Sequence, residues 1–269
     1  MRCRYCKTRA GWFSSEHPKC REISEAGLEA MRDLTAVYAL QGDSSDYESK
    51  FNAIATASFN TGRIAEMRLA GLQKAFEIIL SSGRYDMPLA DNLREAARTL
   101  PSDEQRVQLP LRRLDMMGRL HDLSHGRETL NIDGDVLPLA DPKPGEFSVW
   151  NFHSVRYFEE KTHYTYEGRS SGVSVRIAKG VSVRVGQSQG RRVEHNSLEQ
   201  VDTGLLTISN RRLHFMGSRK AFKLFFEKLA LIEPYTEGLK VIRDTPTAKP
   251  QISVFEDAWF VSEVLHRIS

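Results

Sequence analysis

The amino-acid sequence predicts an α+β protein, in which a small N-terminal zinc module precedes a helical domain and a C-terminal antiparallel β domain that ends in a helix. Three observations support this prediction. All three cysteines lie in the first twenty residues, apolar residues recur at helical spacing over about 22–124, and short apolar runs alternate with glycine-bearing turns after Phe147. The predicted domains are 1–21, 22–130 and 147–269, with a linker over 131–146.

Composition places the chain among ordinary globular proteins. Its 269 residues and 30.6 kDa, with 40% hydrophobic and 27% charged residues, are enough for two domains and a small appendage. No window approaches the roughly 18 consecutive apolar residues that a membrane span needs. The first residues contain no apolar stretch of the secretory type. We therefore expect a cytoplasmic protein without a transmembrane segment.

Three cysteines and one histidine near the N-terminus form a metal-binding pattern. Two residues separate Cys3 from Cys6, two separate His17 from Cys20, and ten lie between the two pairs. An odd number of thiols cannot all pair as disulfides within one chain. Two close pairs of cysteine and histidine side chains, however, suit tetrahedral zinc. Because four protein ligands leave no open position for water or substrate, the pattern predicts a structural zinc ion and no catalysis at this site.

The zinc module is too short to fold around a hydrophobic core of its own, so we expect metal binding to supply its stability. Trp12 and Phe13 lie between the two ligand pairs. We expect these rings to cover the metal or to dock the module on the next domain. The alternative is that they are exposed and stack on a nucleobase.

The apolar spacing over about 22–124 predicts four or five helices. The first should end near Gly42, because glycine readily adopts the left-handed conformation that closes a helix. Ser45 and Glu48 have the spacing of a capping box for the second helix. Two further helices are predicted over 63–80 and 89–100.

The fifth predicted helix has Ser102 as its expected cap and Pro110 as a point where it kinks or starts late. It ends in Leu120-His121-Asp122-Leu123-Ser124-His125, which resembles the central His-Asp pair of HD-type phosphohydrolases, where these residues bind a divalent metal. That family also needs an upstream histidine, and no histidine occurs between His17 and His121. The other interpretation is a solvated helix end, where histidines interact favourably with the helix dipole.

After Phe147 the sequence period changes from helix to strand. Two runs with alternating apolar residues, 173–177 and 181–185, flank a short loop and predict a hairpin with a bulge. Further strands are predicted over 204–209, 212–216, 221–225, 229–233, 239–243 and 251–255. The last segment, 256–268, should cap the sheet with these residues facing inward: Trp259, Phe260, Val264, Leu265 and Ile268.

Positive charge is concentrated in the C-terminal half. Residues 169–223 contain eleven Lys or Arg against three acids, a net +8, which leaves −5 for the rest of the chain, given its formal total of +3. Two arginines and two serines on one face of the predicted hairpin are a candidate contact for phosphate or carboxylate. An ordinary solvated face is the alternative. The candidate basic face consists of Arg176, Arg184, Arg191, Arg192, Arg211 and Arg212.

The segment 203–217 resembles a known family. Its Gly204-x-Leu206 strand, its turn and its Arg212-Leu213-x-Phe215 strand resemble the core hairpin of bacterial pleckstrin-homology-like (PH-like) and GRAM-like domains, and 231–239 is similar to the next strand pair of that group. The resemblance covers 147–269, under half of the chain. It implies a PH-like β-barrel or sandwich capped by the C-terminal helix, acting as a non-catalytic recognition domain.

Three functions follow from these features, in order of preference. The first is a cytoplasmic bacterial adaptor that recognises a protein partner or an anionic lipid surface. The second is nucleic-acid binding through the basic segment 169–223, for example in a bacterial system directed against foreign DNA, with an affinity that falls steeply with salt. The third is a metal-dependent phosphohydrolase centred on His121 and Asp122.

Overall fold

The computed structural model of the chain describes residues 1–42, 45–100, 104–127, 139, 141–167, 173–178, 181–185 and 191–268. Between 162 and 196 it describes the backbone of the strands but not their side chains. The chain divides into two compact units, Met1–Arg127 and Glu128–Ser269, here named the helical unit and the β unit. No helix among the described residues is long and apolar enough to cross a membrane.

The helical unit contains five α-helices among its described residues, which confirms the predicted class of this region. A single 3₁₀ turn, Thr61–Arg63, precedes the third helix. The helices are α1 (Pro18–Gln41), α2 (Tyr47–Ala57), α3 (Ile64–Ser82), α4 (Met87–Thr99) and α5 (Glu104–Ser124).

The ends of α1 and α2 test the predicted boundaries. The end of α1 at Gly42 is confirmed, because this glycine has φ +73° and donates its N–H to the carbonyl of Tyr38 at 2.9 Å. The predicted capping box of α2 is wrong. Asp46 is the N-cap residue of α2, one position after Ser45, and the carboxylate of Glu48 instead accepts hydrogen bonds from the guanidinium of Arg68.

In α5, the helix runs continuously through Pro110, which lies in its interior. Because proline has no N–H, this position gives up one hydrogen bond of the helix ladder. The predicted cap, Ser102, lies outside the described residues.

The helical unit has one apolar core to which all five helices contribute. Its large, fully enclosed side chains include Met31, Phe51, Leu72, Leu93 and Leu114. Helices α1 and α3 approach each other closely at Gly71. A Cβ atom built there would lie 2.3 Å from the Cβ of Thr35 and 2.7 Å from the carbonyl oxygen of Arg32. Glycine at this position therefore sets the distance between the two helices.

Substitution Gly71→Ala should destabilise the helical unit by about 1–3 kcal/mol, because the added methyl group overlaps the backbone of α1. Gly62→Ala is the matched control, since a Cβ at Gly62 meets no atom within 4 Å. Its effect on the free energy of unfolding should stay within about 0.5 kcal/mol. Chemical denaturation of both variants measures the difference, and equal stabilities would contradict the close approach.

The described strands of the β unit are β1 (Ser148–Glu167), β2 (Val173–Ala178), β3 (Val181–Val185), β4 (Arg191–Ser209), β5 (Arg212–Gly217), β6 (Ala221–Phe225), β7 (Leu229–Tyr235), β8 (Gly238–Arg243) and β9 (Gln251–Val254). Seven of them form an antiparallel sheet with the order β6-β5-β4-β1-β9-β8-β7. Strands β6 and β7 are its two edges, so the sheet is open, whereas the resemblance implied a barrel or sandwich.

Two predicted hairpins are confirmed by the strand pairing. Strands β2 and β3 pair with each other as a separate two-stranded sheet, with Val173 opposite Val185 and a register shift after Arg176. Strands β4 and β5 pair with Leu206 opposite Phe215, as expected for the segment 203–217.

The C-terminal helix α6 (Trp259–Ile268) packs on the sheet through aromatic contacts. The ring centroid of Phe260 lies 5.5 Å from that of Trp150 and 6.4 Å from that of Phe152. Phe260 and Val264 are fully buried, as predicted. The prediction is wrong for Trp259, whose side chain is 38% exposed.

A buried carboxylate fixes the turn between β5 and β6. Asp202, on β4, accepts hydrogen bonds from the backbone N–H groups of Thr203, Arg219 and Lys220 and from the hydroxyl of Ser218. The N–H of Arg219, followed by that of Lys220, holds the pKa of this carboxyl far below its usual range. Folding therefore favours the ionised form of Asp202.

The contribution of Asp202 to stability should depend on pH. A lowered folded-state pKa means that the contribution is complete above the unfolded-state value of about 4 and is lost as the pH falls below it. Asp202→Asn should therefore destabilise the protein at neutral pH, and the difference from wild type should shrink in acid. Denaturant unfolding at pH 7 and pH 3 measures this, with the exposed Asp244→Asn as control. A deficit that did not change with pH would contradict it.

Candidate metal centre

The first half of the centre is a tight turn that carries Cys3 and Cys6. The N–H of Lys7 bonds to the carbonyl of Cys3 at 3.0 Å, and the N–H of Cys3 bonds to the carbonyl of Thr8 at 2.7 Å. Lys7 has φ +62°, so the backbone reverses sharply after Cys6. This reversal brings both sulfur atoms to the same side of the turn.

The second half is the start of α1. His17 is the N-cap residue, and Pro18 occupies the first helical turn, where its missing N–H costs nothing and its fixed φ suits the helix. Cys20 follows within the same turn. The ring of Tyr5, beside the cysteine turn, also lies 6.3 Å from the ring of Phe59 after α2, so the centre is attached to the helical unit.

The four predicted ligands converge. One ligand atom from each of Cys3, Cys6, His17 and Cys20 lies within 4.8 Å of all the others. The Nδ1 atom of His17 is 3.4 Å from the Sγ of Cys6 and 3.7 Å from the Sγ of Cys20. Zn–S bonds of about 2.3 Å and Zn–N bonds of about 2.0 Å at the tetrahedral angle separate sulfur from nitrogen by about 3.5 Å. The spacing therefore fits one tetrahedral zinc ion.

Neighbouring groups orient the ligands. The Nε2 atom of His17 is 3.0 Å from the carbonyl oxygen of Arg9, so Nε2 carries the proton and Nδ1 is left to face the sulfurs. The hydroxyl of Thr8 lies 3.0 Å from the Sγ of Cys6. The sequence did not predict either of these supporting residues, Thr8 and Arg9. A backbone carbonyl has no sequence signature, and a threonine two positions after a cysteine is common.

The thiols have strongly divergent acidities. Burial acts to raise the pKa of Cys3, but the backbone N–H groups of Cys6, His17 and Tyr5 outweigh it and lower that pKa to about 6. Burial and the adjacent sulfur of Cys6 raise the pKa of Cys20 to about 11. Three thiolates in this space would repel one another, so a bound cation favours ionisation of the whole set.

The aromatic pair between the ligand pairs does not cover the centre. Trp12 is 79% exposed and Phe13 is 95% exposed, so the prediction that they shield the metal or dock the module is wrong. Cys3 is the one buried residue among the first 21. This part of the chain has no hydrophobic core.

The HD-like motif lies at the end of α5. Among the described residues, the N-terminal cluster is the one group of side chains that could hold a metal ion, so the HD-like motif does not belong to such a group. The ring of His121 packs 5.4 Å from that of Tyr85 and 4.2 Å from that of His125. The carboxylate of Asp122 lies 3.7 Å from the guanidinium of Arg127. These contacts are those of a helix end.

The candidate basic face is only partly described. The side chains of Arg176, Arg184, Arg191 and Arg192 lie outside the described residues, and Arg211 is exposed.

Arg212 has to be removed from the basic face. Its side chain is 2% exposed, and its Nε lies 2.8 Å from the carboxylate of Glu146, which is fully buried. Arg212 also donates to the carbonyl oxygen of Asp141 at 2.9 Å, and its guanidinium lies 5.3 Å from the ring centroid of Phe225. Arg212 therefore ties the segment before β1 to the sheet. Glu146 was predicted to be part of a linker, and nothing in the sequence marks it as the partner.

Arg212→Ala should destabilise the β unit by about 3–5 kcal/mol, because it leaves the carboxylate of Glu146 buried without a counter-charge. Arg211→Ala, its exposed neighbour, should change the free energy of unfolding by less than about 0.5 kcal/mol. The double variant Glu146→Leu/Arg212→Met should be more stable than Arg212→Ala. Urea unfolding measures all three, and equal stabilities of the two single variants would contradict the buried pair.

Comparison with known proteins assigns this chain to no family. No protein-family profile and no curated protein match this chain. One similar solved structure is described as "Critical structural role for the PH and C1 domains of the Vav1 exchange factor", with 8% sequence identity and a TM-score of 0.19. The match covers 93% of this chain and 60% of that chain. At this TM-score the likeness supports no argument about fold or function, and the bacterial and GRAM-like assignments stay predictions.

Proposed function

We propose that this chain is a non-catalytic recognition protein whose N-terminal module is held together by one structural zinc ion bound to Cys3, Cys6, His17 and Cys20. The observation that carries the proposal is the convergence of these four ligand atoms within 4.8 Å. All four positions of a tetrahedral zinc would be filled by the protein, so neither water nor substrate has access to the metal. Such a site stabilises a fold and performs no hydrolysis.

The zinc would join two parts of the chain that bury little apolar surface against each other. The cysteine turn and the start of α1 are separated by ten residues in sequence, and Cys3 is the one buried side chain in the first 21 residues. Apolar burial is therefore too small to order this segment, whereas structural zinc contributes on the order of 10–16 kcal/mol in small zinc modules. The ion supplies the stability that a hydrophobic core would supply elsewhere.

The rest of the described chain is compatible with recognition. The helical unit ends at the HD-like motif without a metal-ligand set, and the β unit is an open antiparallel sheet capped by α6. In this proposal the protein acts in the cytoplasm, and its exposed surfaces bind a protein or an anionic surface. Nucleic-acid binding through 169–223 remains the sequence-based alternative, and no described contact favours it.

Purified protein should contain one equivalent of zinc, and Cys20→Ser should contain much less. Chelation of the metal should make the peptide bonds after Arg4, Lys7 and Arg9 susceptible to trypsin, because the ion orders the backbone that carries these already exposed side chains. Elemental analysis and timed proteolysis before and after chelation measure both effects.

Ser15→Ala is the matched control, because Ser15 is exposed and lies between the ligand pairs. It should retain zinc and resist trypsin as wild type does. Metal-free wild-type protein with an N-terminus as resistant as that of the zinc-loaded form would refute the structural role.

A further inference from the structure

The segment between the two ligand pairs presents aromatic side chains to solvent. Trp12 and Phe13 are 79% and 95% exposed. The base of this segment is held by backbone hydrogen bonds, including one from the N–H of Arg4 to the carbonyl of Ser15 at 2.8 Å. A fixed base with two adjacent exposed rings is an apolar tip, and adjacent exposed aromatic residues often mark an interaction site.

The surface around this tip is strongly cationic. Residues 1–21 contain six Lys or Arg and one acid, Glu16. Glu16 pairs with Arg4 at 2.6 Å and with Arg21 at 3.5 Å. The other four cations are exposed and have no ion pair with any described residue: Arg2, Lys7, Arg9 and Lys19. Three thiolates and one zinc ion add a net charge of only −1, so the module stays positive with the metal bound.

Two of these cations face each other. Arg2 and Arg9 are partners in an isolated antiparallel bridge, and the aromatic tip follows Arg9 within four residues. Like charges directly opposite on two strands repel. An anion bound between or beside them would remove this repulsion. The bridge therefore places two exposed cations beside the base of the tip, where one anion could contact both.

We infer that the zinc module docks on an anionic membrane surface, with Trp12 and Phe13 entering the boundary between headgroups and acyl chains while Arg2 and Arg9 contact lipid phosphates and carboxylates. Tryptophan and phenylalanine favour this depth, and each basic residue near an anionic leaflet adds to the attraction. The inference rests on the proposed function, because the bound zinc holds the segment that carries the tip.

A membrane fits the tip better than single-stranded nucleic acid does. Stacking on bases requires a ring whose plane is held in place. Phe13, at 95% exposure, has almost no contact with the rest of the described chain that could hold its plane. Insertion between lipids requires only exposed apolar rings and a basic surface around them. The tip has both features.

The test is co-sedimentation of the zinc-loaded full chain with vesicles of phosphatidylcholine, with and without phosphatidylserine. Wild-type protein should bind the phosphatidylserine vesicles and release as salt is raised. Trp12→Ser/Phe13→Ser should weaken the binding by about tenfold or more, because two apolar side chains no longer leave water. Ile78→Ser is the matched control, since Ile78 is 45% exposed on α3, and its binding should be unchanged.

A second variant tests the cations. Arg2→Gln/Arg9→Gln should weaken binding to the phosphatidylserine vesicles by about 30-fold and leave the zinc content unchanged. Vesicle binding that is unaffected in both double variants would overturn the inference. So would binding to a polythymidine oligonucleotide with no binding to vesicles. If wild-type protein contains zinc but does not bind vesicles, this inference alone is refuted. If the protein contains no zinc, the proposed function is refuted.

Discussion

Repulsion among three closely spaced thiolates, which a bound cation would relieve, is the physical constraint on the N-terminal part of this protein. One small volume contains the sulfur atoms of Cys3, Cys6 and Cys20 together with the Nδ1 atom of His17. Such a cluster is stable with all thiols ionised only if a cation lies among them. The same segment buries a single side chain, so no apolar core compensates for the repulsion. Binding of a metal ion to these four ligands would therefore order the module.

The spacing of the cysteines and the histidine in the sequence was sufficient to predict the four candidate zinc ligands, because tetrahedral zinc sites use paired residues of a few types at short separations. Periodicity was likewise sufficient for the helices and for most strands, but β1 (Ser148–Glu167) and the part of β4 before Gly204 were not predicted. The positions of their ends were predicted less well. Gly42 ends α1 as expected because its left-handed backbone is a local property. The N-cap of α2 is Asp46 rather than Ser45, and Glu48 pairs with Arg68 of α3 instead of capping α2. A contact from a distant helix is not encoded in the local sequence.

Charge and hydrophobicity alone misassigned several exposed and buried residues. Arg212 was predicted to lie on the surface but is buried against Glu146, and that pairing depends on the path of the chain before β1. Trp12 and Phe13 were expected to cover the metal, but Thr8 and the carbonyl of Arg9 already contact its ligands. Both errors have the same origin, because burial is decided by the geometry of the surroundings rather than by residue type.

The described chain combines the centre of Cys3, Cys6, His17 and Cys20 with a helical unit and an open β sheet. The central claim is that one zinc ion is bound at this centre by three sulfurs and one nitrogen. X-ray absorption spectroscopy of the zinc-containing protein tests this most directly. The account predicts three sulfur neighbours at about 2.3 Å and one nitrogen at about 2.0 Å. A zinc environment dominated by oxygen, or one with fewer than three sulfurs, would contradict it.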